Sequence, residues 1–290
     1  MQDFEYIAPR TLSEAVALMS EKGESARPLA GGTDILVQLR GGRRSVERIV
    51  DVKHVPELNE MSFSRESGLV LGAAVPCYRL YQDQDIAQAY PGIMDAASMI
   101  GGIQIQGRAS VGGNLCNAAP SADAIPPLIV HNATCVIAGQ QGTREIAVEE
   151  FCTAPGRNVL QGGELLVSMR IPAPKSGSGG RYLRFIPRNE MDIAVAGVGS
   201  WVQLSPDNRS IVSARVALAS VAPTPLFVEE SGARLAGREV SKEAIEDAAQ
   251  AAMEAARPIS DMRGTIQQRR HLVGVLTRRT LEGAIARATN

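Results

Sequence analysis

Hydrophobic and polar positions follow a helical period near the start of the chain. In "TLSEAVALMSEKG", Leu12, Val16 and Met19 fall on one face of a helix. Thr11 and Glu14 form the capping-box pattern that marks a helix N-terminus, and a glycine follows the last turn. The pattern predicts a helix with one apolar face.

Shorter runs then alternate between strand and helix patterns. "RIVDV" and "GLVLGAAV" are strand-like, while "PGIMDAASMIGG" is typical of a helix. "RPLAGGTDILVQLRGG" predicts an extended piece, a glycine turn and a short helix. This alternation predicts a mixed α/β region over residues 1–175, built from two subdomains with a boundary near residues 55–60.

The pattern changes after "PAPKSGSGG" at residues 172–180, which predicts a linker or an exposed hairpin because Pro, Gly and Ser dominate it. "DIAVAGVGSWVQL" and "SIVSARVALASV" then predict an antiparallel pair of strands separated by "SPDN". An Ala-rich helix capped by Ser241 and a longer closing helix follow. We therefore expect a small α+β domain, an antiparallel sheet plus helices, over residues 181–290.

Composition and charge exclude several classes of protein. The chain has 290 residues, of which 44% are hydrophobic, so a core can form. Its 30 Lys and Arg residues nearly balance 31 Asp and Glu residues, so no overall field recruits nucleic acid or an anionic membrane. No apolar run approaches the roughly 20 residues that span a bilayer, and "MQDFEYIAPR" lacks a signal-peptide core. We expect a cytoplasmic protein without a membrane span or a nucleic-acid partner.

The cysteines are dispersed, without a CxxC pair or a nearby histidine: Cys77, Cys116, Cys135 and Cys152. This spacing argues against a zinc site or an iron–sulfur cluster within the chain. No general base or nucleophile stands out, so we expect neither metal-ligating nor catalytic residues here. Any redox chemistry of this chain must use a bound organic cofactor or none.

Two glycine loops carry the candidate chemistry. "PLAGGTDIL" and, about 80 residues later, "ASVGGNLCNAAPSADAIPPL" each place a double glycine at the predicted start of a helix. Main-chain N–H groups at such a turn can hold an anion without a basic side chain, and the stretch from Ser110 to Leu128 contains none. Two such loops suit one pyrophosphate. On the residues alone, two unrelated turns remain the alternative, since the Walker and GxGxxG patterns are absent.

Four motifs together resemble a known family. "AGGTDIL", "ASVGGNLCNAAPSADAIPPL", "PRNEMDIAVAGVG" and "ISDMRGTIQQRRHLVGVLTRR" occur in the order and at the spacing found in the FAD-binding medium subunits of molybdenum hydroxylases. That family includes the medium subunit of carbon monoxide dehydrogenase and the flavin domain of xanthine dehydrogenase. The resemblance implies a two-subdomain FAD-binding fold of the PCMH/vanillyl-alcohol-oxidase type, followed by a C-terminal domain that closes over the flavin.

The resemblance also implies which residues contact FAD. Those of the first loop and the segment leading into it are Arg27, Pro28, Leu29, Ala30, Gly31, Gly32, Thr33 and Asp34. Those of the second loop are Ser110, Val111, Gly112, Gly113 and Asn114. Asp123 matches an aspartate that hydrogen-bonds the sugar-alcohol part of FAD. The residues alone would instead indicate an aspartate that caps a turn. Leu166 matches an apolar flavin neighbour and is otherwise ordinary strand core. Ile100 stands where xanthine-type members have an aromatic ring, and Arg184 stands where they have a lysine beside the flavin.

The function implied is that of an electron-transfer subunit with non-covalent FAD. A small partner subunit with [2Fe–2S] clusters would supply electrons taken from substrate by a large partner subunit with a molybdenum–pterin cofactor, in a dimer of heterotrimers. An external acceptor would receive them. A stand-alone FAD-dependent oxidoreductase of the same fold and a non-enzymatic binding module are the alternatives. The substrate is chosen in the large subunit, and the acceptor is not predicted.

Overall fold

A small parallel sheet opens the chain. The computed structural model describes residues 3–189 and 191–289. The first elements are β1 (Glu5–Ile7), α1 (Leu12–Lys22), a 3₁₀ turn (Gly23–Ser25), β2 (Ala26–Leu29), α2 (Ile35–Arg40), β3 (Arg48–Asp51) and a second 3₁₀ turn (Val52–His54). The strands lie in the order β1-β3-β2, with parallel pairing throughout.

The predicted first helix is confirmed. The Thr11 hydroxyl accepts a hydrogen bond from the Glu14 N–H at 3.2 Å, and the helix ends at Lys22 with Gly23 as its C-cap. Val16 and Met19 are buried, and this apolar face packs against the buried strands behind it. Capping and periodicity thus agree on the same boundaries.

A second, antiparallel sheet follows. Its strands and the adjoining hairpin are β4 (Met61–Ser64), β5 (Gly68–Gly72), β6 (Thr134–Gly139), β7 (Gly142–Ala147), β8 (Cys152–Ala154), β9 (Arg157–Asn158) and β10 (Leu165–Ile171). Short helices accompany them: α3 (Pro56–Asn59), α4 (Cys77–Gln82), α5 (Gln84–Ala89), α6 (Pro91–Ala97), α7 (Ile103–Gln106), α8 (Val111–Asn117), α9 (Ile125–Val130) and α10 (Val148–Phe151). The sheet order is β4-β5-β10-β6-β7, and β8 pairs with β9 apart from it. Helices α4 to α9 pack their apolar residues against this sheet and form the largest core.

The C-terminal part is an antiparallel sheet covered by helices. Its elements are β11 (Ser178–Phe185), β12 (Ala196–Leu204), β13 (Ile211–Ala219), β14 (Leu226–Phe227), α11 (Glu229–Ala233), α12 (Lys242–Ala255) and α13 (Ile266–Ala288). The strands lie in the order β11-β12-β13-β14. The predicted antiparallel pair is confirmed as β12 and β13, and Ser241 caps α12 by accepting a hydrogen bond from the Ala244 N–H at 3.1 Å.

The predicted linker is shorter than expected. The sequence predicts a linker or an exposed hairpin over residues 172–180, but β11 already begins at Ser178, so Gly179 and Gly180 belong to a strand. A Cβ at Gly179 would lie 2.3 Å from the Ala284 carbonyl oxygen of α13. Glycine is required there because the last helix lies directly on the strand, a contact that local composition does not reveal.

Ion pairs at Asp95 join the C-terminal part to the rest. The Asp95 carboxylate, on α6, binds Arg287 of α13 in a bidentate arrangement, at 2.7 and 2.9 Å. It also accepts a hydrogen bond from the Tyr182 N–H at 3.0 Å. Arg287 donates in addition to the Gly180 carbonyl oxygen at 2.7 Å. The start of β11 and the end of α13 are therefore fixed to the same helix of the central core.

Among residues 3–189 and 191–289, no helix is both long enough and apolar enough to span a bilayer.

Candidate functional site

A cavity of about 820 Å³ lies between the parallel sheet and the central antiparallel sheet. Its volume falls within the roughly 300–1,000 Å³ that ligand sites usually occupy. The predicted residues that line it come from both glycine loops and from two positions between and after them: Arg27, Pro28, Ala30, Gly31, Gly32, Thr33, Asp34, Ile100, Ser110, Gly112, Gly113, Asn114 and Leu166. The fold thus brings the two loops to one site, although about 80 residues separate them.

The first loop connects β2 to α2 and lies directly against the start of the second. A Cβ added to Gly31 would lie 1.9 Å from the Arg108 carbonyl oxygen, so only glycine permits this approach. Arg108 returns the contact, since its Nε donates to the Gly31 carbonyl oxygen at 3.1 Å. The two loops are therefore held edge to edge at the cavity wall.

The second loop is shaped by the N-terminus of α8. Ser110 is the N-cap, and its hydroxyl accepts a hydrogen bond from the Gly113 N–H at 3.0 Å. The Asn114 Oδ1 accepts from the Ala124 N–H at 3.0 Å, which fixes the chain that leaves the helix. Helix α8 therefore begins at the cavity, where the first amides of a helix lack intrahelical partners and can donate outward.

Four predicted residues lie outside the cavity walls. The Leu29 side chain packs in the small core behind the parallel sheet, and Val111 packs in the large core. Alternation along β2 and the inward face of α8 explain both positions, because neighbouring side chains in a loop segment need not share a direction. Asp123 and Arg184 are also absent from the walls.

Asp123 and Arg184 form an ion pair with each other. Asp123 Oδ2 pairs with the Arg184 guanidinium, and its Oδ1 accepts a hydrogen bond from the Tyr182 hydroxyl at 2.8 Å. Burial raises the pKa of Asp123 to about 6, while the charge of Arg184 and the hydrogen bonds oppose this shift. Both carboxylate oxygens are thus engaged by β11, so this contact joins the C-terminal part to the central core. The predicted contacts of Asp123 and Arg184 with FAD stay predictions.

A hydrogen-bonded network of polar side chains connects α2 and α8. Most of its members were not predicted from the sequence. Arg44 Nε donates to the Gln38 Oε1 at 3.1 Å, and Gln38 Nε2 donates to the Asn117 Oδ1 at 3.0 Å. Asn117 Nδ2 then donates to Asp34 Oδ1 at 3.3 Å. All four residues line the cavity. Burial raises the pKa of Asp34 above its ordinary value, even though its side chain reaches water through the cavity.

One signal for this network was available in the sequence. Gln38 follows Asp34 by four residues, so both lie on the same face of the predicted short helix. Nothing local indicated Asn117, which ends α8, or the loop between β9 and β10, whose residues 160–164 also line the cavity.

The cavity fits an elongated dinucleotide better than a compact ligand. Its walls include Glu24 and Arg27, both glycine loops, and the aliphatic side chains of Ile100 and Leu166. Charged and polar side chains and main-chain amides suit an anionic, hydroxyl-rich molecule, while aliphatic side chains suit a flat ring system. The donor set therefore fits FAD. Fold and site together define a flavin-nucleotide-binding protein with an added C-terminal α+β part.

Comparison with known families makes this specific. Residues 2–174 match the model described as FAD binding domain in molybdopterin dehydrogenase, and residues 181–284 match the CO dehydrogenase flavoprotein C-terminal domain. The chain belongs to this family of FAD-binding subunits, and the recognition made from the four sequence motifs is confirmed.

Named relatives agree over essentially the whole chain. The carbon monoxide dehydrogenase medium chain of Afipia carboxidovorans is 32% identical over 289 residues, covering 99% of this chain and 98% of the relative. A xanthine dehydrogenase FAD-binding subunit from Escherichia coli is 30% identical over 290 residues, with 99% and 98% covered. The chain is therefore an oxidoreductase subunit, as predicted.

Solved structures confirm the fold class. A carbon monoxide dehydrogenase from Hydrogenophaga pseudoflava superposes with a TM-score of 0.94 at 31% identity, covering 99% of this chain and 98% of that one. Quinoline 2-oxidoreductase from Pseudomonas putida 86 gives a TM-score of 0.91 at 26% identity, with 100% and 99% covered. The prediction of an α+β FAD-binding fold followed by a small C-terminal domain is confirmed.

Proposed function

We propose that this chain is the electron-transfer subunit of a molybdenum-containing hydroxylase or dehydrogenase. It takes electrons from the [2Fe–2S] clusters of a small partner subunit and passes them to an external acceptor. The observation that carries the proposal is the cavity itself, in which two glycine loops meet edge to edge along one wall. FAD, when bound non-covalently there, supplies a ring system that accepts one or two electrons.

The residues of this chain bind and orient the cofactor. Main-chain N–H groups of the two glycine loops would bind its phosphate oxygens, because amides at such turns converge on an anion. Ile100 and Leu166 would contact the ring system through their aliphatic side chains, since both line the cavity. The polar connection between Gln38 and Asn117 keeps α2 and α8 at a fixed separation, so the cavity is preformed.

The assembly around this subunit is part of the same proposal. Residues 1–175 form the FAD-binding domain, with two subdomains that meet near residues 55–60, and residues 181–290 form the domain that closes over the flavin. The molybdenum–pterin cofactor belongs to a large partner subunit. We expect a cytoplasmic dimer of heterotrimers.

An absorption spectrum tests the cofactor assignment first. The purified chain, incubated with FAD and desalted, should show flavin bands and release FAD on denaturation. The Gly113→Asp variant should remain folded and colourless, because a carboxylate beside the phosphate site repels the ligand. Gly113→Asn is the matched control, since it adds the same bulk without charge. Within the described residues, a Cβ at Gly113 meets only the Ser110 hydroxyl, at 2.9 Å.

The outcomes separate the alternatives. Normal FAD content in Gly113→Asp would contradict the loop assignment. Equal loss of FAD in both variants would indicate a steric effect and leave the role of charge unsupported. Reduction of the bound flavin by the small subunit, but not by organic substrates alone, would support the electron-transfer role. Turnover of an organic substrate by the isolated chain would favour a stand-alone oxidoreductase.

A further inference from the structure

Two arginines line the same end of the cavity. Arg27 lies on β2, and Arg44 lies in the segment between α2 and β3. Both side chains are half-buried. Glu24 also lines this end but is exposed to solvent. The fold therefore brings two cationic side chains to one part of a ligand cavity, although 17 positions separate them in the sequence.

The hydrogen-bond partners of both guanidiniums are neutral. Arg27 donates to the main-chain carbonyl oxygens of Glu24 and Ala26, each at 2.8 Å, and Arg44 donates through Nε to the Gln38 side chain at 3.1 Å. Within residues 3–189 and 191–289, neither guanidinium forms a salt bridge with a carboxylate. Half-buried arginines usually have an anionic partner, because removing a charge from water is costly.

The electrostatics of this pair are unfavourable in the chain alone. Burial lowers the pKa of Arg27, and the positive charge of Arg44 lowers it further, against a weaker attraction from Glu24. Like charges at close range repel, so both arginines gain from an anion between them. Guanidinium groups also match phosphate geometry through paired N–H donors.

We propose that Arg27 and Arg44 form an anion-binding pair that takes the phosphate groups of the bound dinucleotide, with Gln38 positioning Arg44. The inference rests on the proposed function, because the phosphates belong to the FAD assigned there. Arg44 lies outside both glycine loops, and the pair would favour FAD over uncharged flavins. Phosphate recognition then depends on side-chain charge as well as on loop amides.

Binding measurements on the ligand-free chain test whether the charge of Arg44 contributes to phosphate binding. Dissociation constants for FAD, ADP and riboflavin are measured for the wild type and for Arg44→Gln. The loss of a charged hydrogen-bond partner is worth about 1.5–3 kcal/mol, so FAD and ADP affinity should fall about tenfold or more. Riboflavin affinity should not change, because riboflavin carries no phosphate. The difference between variant and wild type should shrink at high salt.

Two further variants distinguish the loss of charge at the site from a general effect on folding. Arg43→Gln removes the same charge one position away, from an exposed side chain that does not line the cavity, and should bind all three ligands like the wild type. Arg44→Lys keeps the charge and should retain part of the ADP affinity. The thermal unfolding midpoint of each variant reports its folding.

The results distinguish this inference from the proposed function. Equal ADP affinity in wild type and Arg44→Gln overturns the inference, as does an equal loss of riboflavin and ADP affinity. Failure of the wild type to bind FAD overturns the proposed function instead. Selective loss of ADP binding in Arg44→Gln supports the anion pair in either case, because ADP binding does not depend on the flavin.

Discussion

The contact between Gly31 and Arg108 makes the glycine at position 31 testable. In Gly31→Ala, the new Cβ would lie 1.9 Å from the Arg108 carbonyl oxygen, whereas ordinary contact begins at 3.4 Å. The loops would therefore have to separate by about 1.5 Å, since both contacting atoms belong to the main chain or are fixed to it. We expect a loss of about 1–3 kcal/mol in the free energy of unfolding, as for other overpacked sites.

Cofactor binding should weaken together with stability. Separation by this distance would break the 3.1 Å hydrogen bond between Arg108 Nε and the Gly31 carbonyl oxygen. It would also carry the first loop away from the second, so that one ligand could not contact both. The loss of a single charge-assisted hydrogen bond corresponds to a tenfold or greater fall in FAD affinity.

The assay is titration of the ligand-free protein with FAD, followed by flavin fluorescence, beside urea unfolding of the same samples. Gly107→Ala is the matched control. It makes the same substitution next to Arg108, at a helical φ of −68°, and no atom of the described residues lies within 4 Å of the new Cβ. Wild-type FAD affinity in folded Gly31→Ala would refute the claim that loop apposition forms the site.

Two other predictions concern stability. Burial lowers the pKa of His131 to about 4, and its Nε2 has no hydrogen-bond partner within the described residues. Between pH 6.5 and 4, the imidazole of His131 is therefore protonated in the unfolded state but stays neutral in the folded state. Lowering the pH from 7.5 to 4.5 should therefore reduce the free energy of unfolding by up to about 3 kcal/mol more in the wild type than in His131→Leu, as measured by urea unfolding. Parallel pH profiles of the two proteins would contradict this. Asp95→Asn should cost about 3 kcal/mol because it leaves Arg287 half-buried without its carboxylate, whereas Glu246→Gln, which breaks the exposed pair with Arg278, should cost under about 1 kcal/mol. Equal losses in the two variants would rule out a special role for the Asp95 contact.

Local patterns in the sequence predicted what local physics determines. Helix α1 followed from periodicity and its Thr11 cap, and the loops at Gly31 and Gly113 followed from paired glycines at the start of helices. The first strand of the C-terminal sheet was missed because Gly179 and Gly180 resemble a linker. Contacts distant in sequence explain both glycines, since a Cβ at Gly179 would meet α13 and a Cβ at Gly180 would meet His131.

Contacts distant in sequence were beyond such reasoning. Asp123 and Arg184 are 61 positions apart, and each was assigned to the cofactor separately, with no sign that they pair. Arg44 carried no motif, and its position in the cavity depends on how the chain turns between α2 and β3. The sequence therefore predicted the loops of the site better than the charges around it.

The ion pair between Asp95 and Arg287 bears on the order in which parts of the nascent chain can fold. Its two partners are 192 residues apart, so at about 5–20 residues per second the ribosome adds the arginine about 10–40 s after the aspartate. The walls of the cavity come from residues 19–166, which are all translated well before the ion pair between Asp95 and Arg287 can form. The residues that line the cavity can therefore fold before helix α13 is available to pair with Asp95.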